Sequence, residues 1–164
     1  MWTILGHLLL LAQLLCRAGG QRSLTDSACV CTTVDCPALG KNPIVMGNGH
    51  AHLTYVYEQH NQHNVVSYVS GEITAQSLNT GTETTTCTRK YSRMLEDDGE
   101  QSCDAGHILA RSLGGYGNLP MNIFPQNATI NEGIFSQFEG KIYDCTKNGT
   151  KTTYLTWDFD YESD

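Results

Sequence analysis

The 164-residue sequence has no apolar run long enough to cross a bilayer, no internal repeat and no long low-complexity linker. It also lacks the paired two-residue cysteine spacing of a zinc knuckle, since its early cluster reads Cys29-x-Cys31-x4-Cys36. A membrane-spanning protein, a solenoid and a zinc ribbon are thereby disfavoured. Basic residues are scarce, with 10 Lys and Arg against 17 Asp and Glu and a formal charge of -7, which at first sight argues against a polyanionic partner. The longest apolar stretch, Leu8 to Cys16, is broken only by Gln13 and is followed by Arg17 and the small residues Ala18, Gly19 and Gly20. Residues 1–20 read as a secretory signal peptide, cleaved to leave Gln21 first, so the expected product is secreted and has no membrane anchor.

Cleavage removes Cys16, so the seven cysteines become an even set: Cys29, Cys31, Cys36, Cys87, Cys103 and Cys145. In an exported chain this predicts disulfides, although spacing alone does not choose the pairing. The layout is a cysteine-rich segment, 21–40, followed by one domain, 41–164. Alternation places Leu53, Tyr55 and Tyr57 on one face of a strand over Ala51–Tyr57. Valine-rich Asn64–Ser70 reads as a second strand, with Glu58–His63 as the hairpin loop between them. The threonine-rich Thr80–Thr88 favours extended chain, and Glu96 to Glu100 an acidic solvated turn. One helix signal is clear, a capping box at Thr129-x-x-Glu132. It predicts a helix over Ile130–Tyr143 with Ile130, Ile134, Phe138 and Ile142 as its core stripe. An Asn148-Gly149 turn then leads into a strand over Thr152–Phe159 that would close a hairpin.

The chemistry-bearing residues fall between Cys103 and Glu139. Asp104-Ala105-Gly106-His107 would end one strand, the glycine-rich Leu113–Pro120 would loop out, Met121–Pro125 would return, and Asn131 would sit on the first helical turn. At about 100° per residue, Glu139 lies within ~80° of Asn131 and two turns on. The amide oxygen of Asn131 could hold a hard cation whose waters Glu139 orients. His107 is the natural base, because an imidazole is partly unprotonated near neutral pH, and Gly106 would admit substrate backbone. This layout suits phosphodiester hydrolysis, with the histidine taking a proton from water and a metal neutralising charge that grows on the phosphate. Other features weigh less. His50 and His52 have alternate spacing but read as solvent-facing, and Gly114-Gly115-Tyr116-Gly117 lacks the ending of a P-loop and reads as a flexible loop. Tyr116 is a weak candidate for stacking on a base.

These residues resemble the DNA/RNA non-specific endonucleases, members of the ββα-metal or His-Me finger group. The likeness covers roughly Cys103 to Glu139 and is carried by Gly106-His107, Asn122-Ile123-Phe124-Pro125-Gln126, and the helix motif Asn131, Gly133, Phe135, Phe138 and Glu139. The resemblance implies a general base at His107, a direct Mg2+ ligand at Asn131 (Mn2+ being an alternative), and Glu139 acting through metal-bound water. Asn122 would hold the site together or position substrate. Ala105 departs from the family's Asp-Arg-Gly-His, so the cation facing the phosphate must come from elsewhere, first Arg111, then Arg89 or Arg93, with Gln126 nearby. The sequence stops about 25 residues after Glu139, which implies a small or truncated C-terminal sheet. Asn127-Ala128-Thr129 and Asn148-Gly149-Thr150 are glycosylation sequons, the first inside the site segment.

The expectation is an α+β domain, a small antiparallel sheet with a ββα-metal (His-Me finger) core, disulfide-stapled. It would be a secreted metal-dependent endonuclease cutting DNA and RNA with little sequence preference. The competing readings are a catalytically silent cysteine-rich binding module of the same fold and a metal-independent ribonuclease. Net acidity does not oppose a nucleic-acid substrate: Glu96, Asp97, Asp98, Glu100, Asp158, Asp160, Glu162 and Asp164 concentrate it in one loop and one tail.

Overall fold

Alternating apolar side chains in the first half of the domain build one antiparallel sheet, and the computed structural model shows its four strands in the order β1-β2-β3-β6. The structure describes residues 38–60, 63–95, 103–149 and 152–160. The expected signal peptide, the Cys29–Cys36 cluster and the acidic turn at 96–100 lie outside the described residues. Strand β1 is Gly40–Met46, β2 is Ala51–His60, β3 is His63–Ile73 and β6 is Thr153–Asp158. The inward rows of this sheet are Leu53, Tyr55 and Tyr57 of β2, Val66, Val69 and Ile73 of β3, and Trp157 of β6, all buried. The predicted face of β2 is therefore the core face. Strand β6 pairs with β3 and follows a helix, so the expected closing hairpin is replaced by a return to the far edge of the first sheet.

The core is completed from the opposite side by Ile108, Leu109 and Leu113, which follow strand β4 (Cys103–His107), and by Ile142 of helix α3 (Ser136–Asn148). Strand β4 pairs antiparallel with β5 (Ile123–Asn127) as a separate two-stranded ribbon. Asn122 joins the two sheets. Its side chain is fully buried, accepts from the Tyr55 hydroxyl at 2.6 Å and the Leu109 amide at 2.8 Å, and donates to the Leu109 carbonyl at 3.0 Å. Burial pushes the Tyr55 phenol well above its ordinary pKa, so the hydroxyl stays a neutral donor in this bond.

Three local expectations change. The threonine run does not form a strand; it starts helix α1 (Thr86–Leu95), which packs on β4 and β5. Thr85 caps that helix, its hydroxyl accepting from the Thr88 amide at 3.1 Å while its own amide donates to the Thr88 hydroxyl at 2.9 Å. This reciprocal pair outweighs the extended preference of β-branched residues. The later helix begins earlier than predicted, at α2 (Ala128–Ile130), and its cap is Asn127, whose side-chain oxygen accepts from the amides of Thr129 and Ile130. Finally, a π-helical segment, Asn131–Phe135, separates α2 from α3. The extra residue of a π turn rotates the downstream face, so Phe135 is buried where the straight-helix stripe put Ile134, which is 60% exposed.

Among the cysteines, Cys87 on α1 and Cys103 on β4 are disulfide-bonded, whereas Cys145 on α3 is free and exposed. The expectation that every cysteine left after signal cleavage is paired therefore fails at Cys145.

Candidate active site

His107 ends β4, where the chain leaves the ribbon for the loop held by Asn122. Its ring lies 3.1 Å, Nε2 to O, from the Thr82 carbonyl. A carbonyl only accepts, so Nε2 carries the hydrogen and Nδ1 keeps its lone pair, with no hydrogen bond among the described residues. Burial is the largest influence on this imidazole and lowers its pKa from the ordinary 6.5; Arg111 lowers it further, while the Thr82 bond and Glu83 oppose them. The ring is thus an unprotonated acceptor near neutral pH. The Thr82 carbonyl also accepts from the Gly117 amide at 3.0 Å, which ties the glycine-rich loop to the same point.

The glycines here serve close packing, which corrects two expectations. A side chain on Gly117 would meet His107 Nε2 at 2.5 Å, and one on Gly115 would meet the Leu109 carbonyl at 1.7 Å, so this loop is packed tightly. Gly106 is buried, and its missing side chain makes room for Gln126, whose Oε1 would lie 2.3 Å from a Cβ there, so it does not open a path for substrate. Tyr116 packs locally too, its hydroxyl accepting from the Asn48 amide at 3.1 Å.

A second group sits at the other end of β4. Asn131 donates through Nδ2 to Asp104 Oδ2 at 3.1 Å, which turns its amide oxygen away from the carboxylate. Gln126, paired with Asp104 across the ribbon, is buried, and its Oε1 has no hydrogen-bond partner among the described residues. A buried acceptor left so costs about 1–3 kcal/mol. Glu139 is partly buried, and desolvation pushes its carboxyl up to about 7. The π segment matters for its position. Eight residues containing one extra π residue rotate like about seven of regular helix, so Glu139 comes within ~20° of Asn131 instead of ~80°.

The predicted residues thus fall at two places along one five-residue strand, His107 with Arg111 nearby at its end and Asn131 bonded to Asp104 near its start, while Gln126 packs over Gly106 between them. Asn122 holds the loop that follows His107, and both polar atoms of its amide are bonded to protein partners. Arg111 is exposed and paired with Glu83, while Arg89 is exposed and donates to Thr84. Sequence reasoning missed Thr82, Glu83 and Asp104 as partners of site residues; the run Thr82-Glu83-Thr84-Thr85 carried a signal only in its cap-forming threonines. Among the described residues no three His, Cys, Asp or Glu side chains converge to hold a metal, His50 and His52 included. An ion at Asn131 would be held by few protein oxygens and keep most of its water, a habit that fits Mg2+. The sequon at Asn127 uses the same side chain that caps α2.

A small mixed α/β domain with a histidine at a strand end and an amide at a helix start defines the class. The profile of the DNA/RNA non-specific endonuclease family matches residues 48–158, and the chain belongs to that family. Over 72 residues it is 42% identical to a protein of Dickeya dadantii (strain 3937) described as probable deoxyribonuclease RhsA. That match covers 44% of this chain and only 5% of the relative's length. No solved structure gave a significant match.

Proposed function

We propose that this chain is a secreted, metal-dependent endonuclease that hydrolyses DNA and RNA phosphodiester bonds with little sequence preference. The observation that carries the reading is the hydrogen bond from His107 Nε2 to the Thr82 carbonyl, because it leaves Nδ1 free to take a proton from the attacking water. Asn131, oriented by Asp104, would hold Mg2+ or Mn2+, with Glu139 orienting water around it. The metal's contribution when bound is to neutralise charge on the phosphate and the leaving oxygen. The Gln126 oxygen, packed over Gly106 and without a hydrogen-bond partner among the described residues, is consistent with a polar occupant at the β4-β5 ribbon. Arg111 would face the scissile phosphate in place of the cation that Ala105 lacks, and Asn122 would fix the loop that presents it. Secretion is supported by the N-terminal leader and by the oxidised state of Cys87 and Cys103, which persists in oxidising compartments. The further cysteine staples and the ββα-metal core belong to the same reading.

The test is incubation of the protein with plasmid and with RNA, with and without chelator, alongside His107→Ala. Cutting of both substrates that chelator abolishes and His107→Ala lowers by at least about 100-fold is expected. No cutting with Mg2+ or Mn2+ present would sink the enzyme in favour of a binding module. Chelator-resistant cutting of RNA alone would establish the metal-independent ribonuclease.

A further inference from the structure

The cation assigned above to the phosphate already has a partner in the structure. Arg111 Nη1 donates to Glu83 Oε1, and the two side chains remain 58% and 71% exposed. Glu83 is not a drifting surface residue, because its backbone is fixed on both sides. The Thr82 carbonyl before it holds His107 and Gly117, and the Thr84 carbonyl and hydroxyl after it accept from Arg89. A side chain on Gly117 would strike the Glu83 carbonyl carbon at 2.5 Å, so this stretch of backbone lies against the site loop. The carboxylate is therefore delivered to the guanidinium by the same segment that sets the tautomer of the base.

A carboxylate and a phosphate offer a guanidinium the same feature, adjacent anionic oxygens in its plane. Ion pairs this exposed are weak and screened by salt, so exchange of one anion for another costs little. We propose that Glu83 is a displaceable cover on Arg111, occupying the guanidinium in the free protein and yielding it to a nucleic-acid phosphate. The inference rests on the reading of Arg111 as the phosphate-facing cation. Its effect is to set a threshold: a lone phosphate must compete with a tethered carboxylate, whereas a polynucleotide that also engages the Asn131 end of β4 can displace it. Specificity for chains over small phosphate compounds would then reside partly in Glu83.

Glu83→Gln keeps the length of the side chain and removes its charge. Binding of a fluorescein-labelled oligonucleotide, read by anisotropy in EDTA so that no cleavage intervenes, should tighten about fivefold, and KM in Mg2+ should fall to match. Inorganic phosphate should become a better competitor in the variant. A second readout is the pH dependence of kcat/KM. The groups acting on His107 are the Thr82 carbonyl, Glu83 and Arg111, and Glu83 raises its pKa, so the midpoint should move to lower pH in Glu83→Gln. Arg111→Ala should weaken binding, and adding Glu83→Gln to it should then change Kd little. If Arg111→Ala weakens binding but Glu83→Gln fails to tighten it, the carboxylate aligns Arg111 and the cover is refuted alone. If Arg111→Ala leaves Kd and KM unchanged, the phosphate-facing role falls and the cover falls with it.

Discussion

His107 and Asn122 show how single side chains divide the work at this site. As the proposed base, His107 would act only when unprotonated, and burial holds its imidazole pKa below 6.5. The rate should therefore rise with pH through a midpoint below 6.5, with no further rise from this group at pH 7 to 8, measured as kcat/KM at saturating metal. Asn122 has a different job, since each polar atom of its amide faces a protein partner and none faces solvent. Asn122→Ala would strand the Tyr55 hydroxyl and both polar groups of Leu109, so urea denaturation should show a loss of about 2–4 kcal/mol. The sequence singled out His107, Asn122 and Asn131 by type and order. It could not reveal Thr82 as a partner, because a backbone carbonyl has no residue signature, and it placed Asp104 in the site segment without pairing it with Asn131.

Elements were legible where one face is simply buried. Strands β2 and β3 follow from alternation, and they extend beyond the predicted bounds because His60 and His63 still pair across the hairpin. Helices were less legible, for two physical reasons. Thr85 and Thr88 satisfy each other at the start of α1, and that local pairing defeats a propensity argument based on β-branching. At the second helix, Asn127 caps two residues earlier than the capping-box reading placed Thr129, accepting from the amides of Thr129 and Ile130, and the π segment moved the buried position from Ile134 to Phe135. The π turn also brings Glu139 into line with Asn131. Deleting Ile134, an exposed residue inside it, should restore a regular helix and still leave Glu139 within ~20° of Asn131, because seven regular residues turn as far as eight that include the extra π residue. Activity should therefore fall by less than about tenfold, with the far-ultraviolet circular dichroism spectrum nearly unchanged, whereas a loss of about 100-fold would show that the π turn itself positions the site.

On the scale of the whole molecule, two sheets meet through one buried amide and a shared apolar core. Tyr57 reinforces the junction by donating to the Met121 carbonyl, and Phe124 of β5 stacks edge-on against Phe135 and Phe159, at 6.3 and 5.3 Å between centroids. With the core running continuously from Met46 to Trp157, the site has no independent foundation. Loss of activity and loss of tryptophan fluorescence should follow one urea transition with the same midpoint, as a single cooperative unit requires. A site that melted first would show that the β4-β5 ribbon and its helix form a separate unit.

The bond from His107 to Thr82 joins segments 25 residues apart in sequence, and Asp104 and Asn131 are separated by 27. Neither pairing exists in an extended chain. A site built this way would carry its own safeguard during synthesis: until distant parts of the polypeptide have met, the imidazole has no fixed tautomer and the amide no fixed direction. On the proposed reading, the protein would become able to cut nucleic acid only by completing its fold.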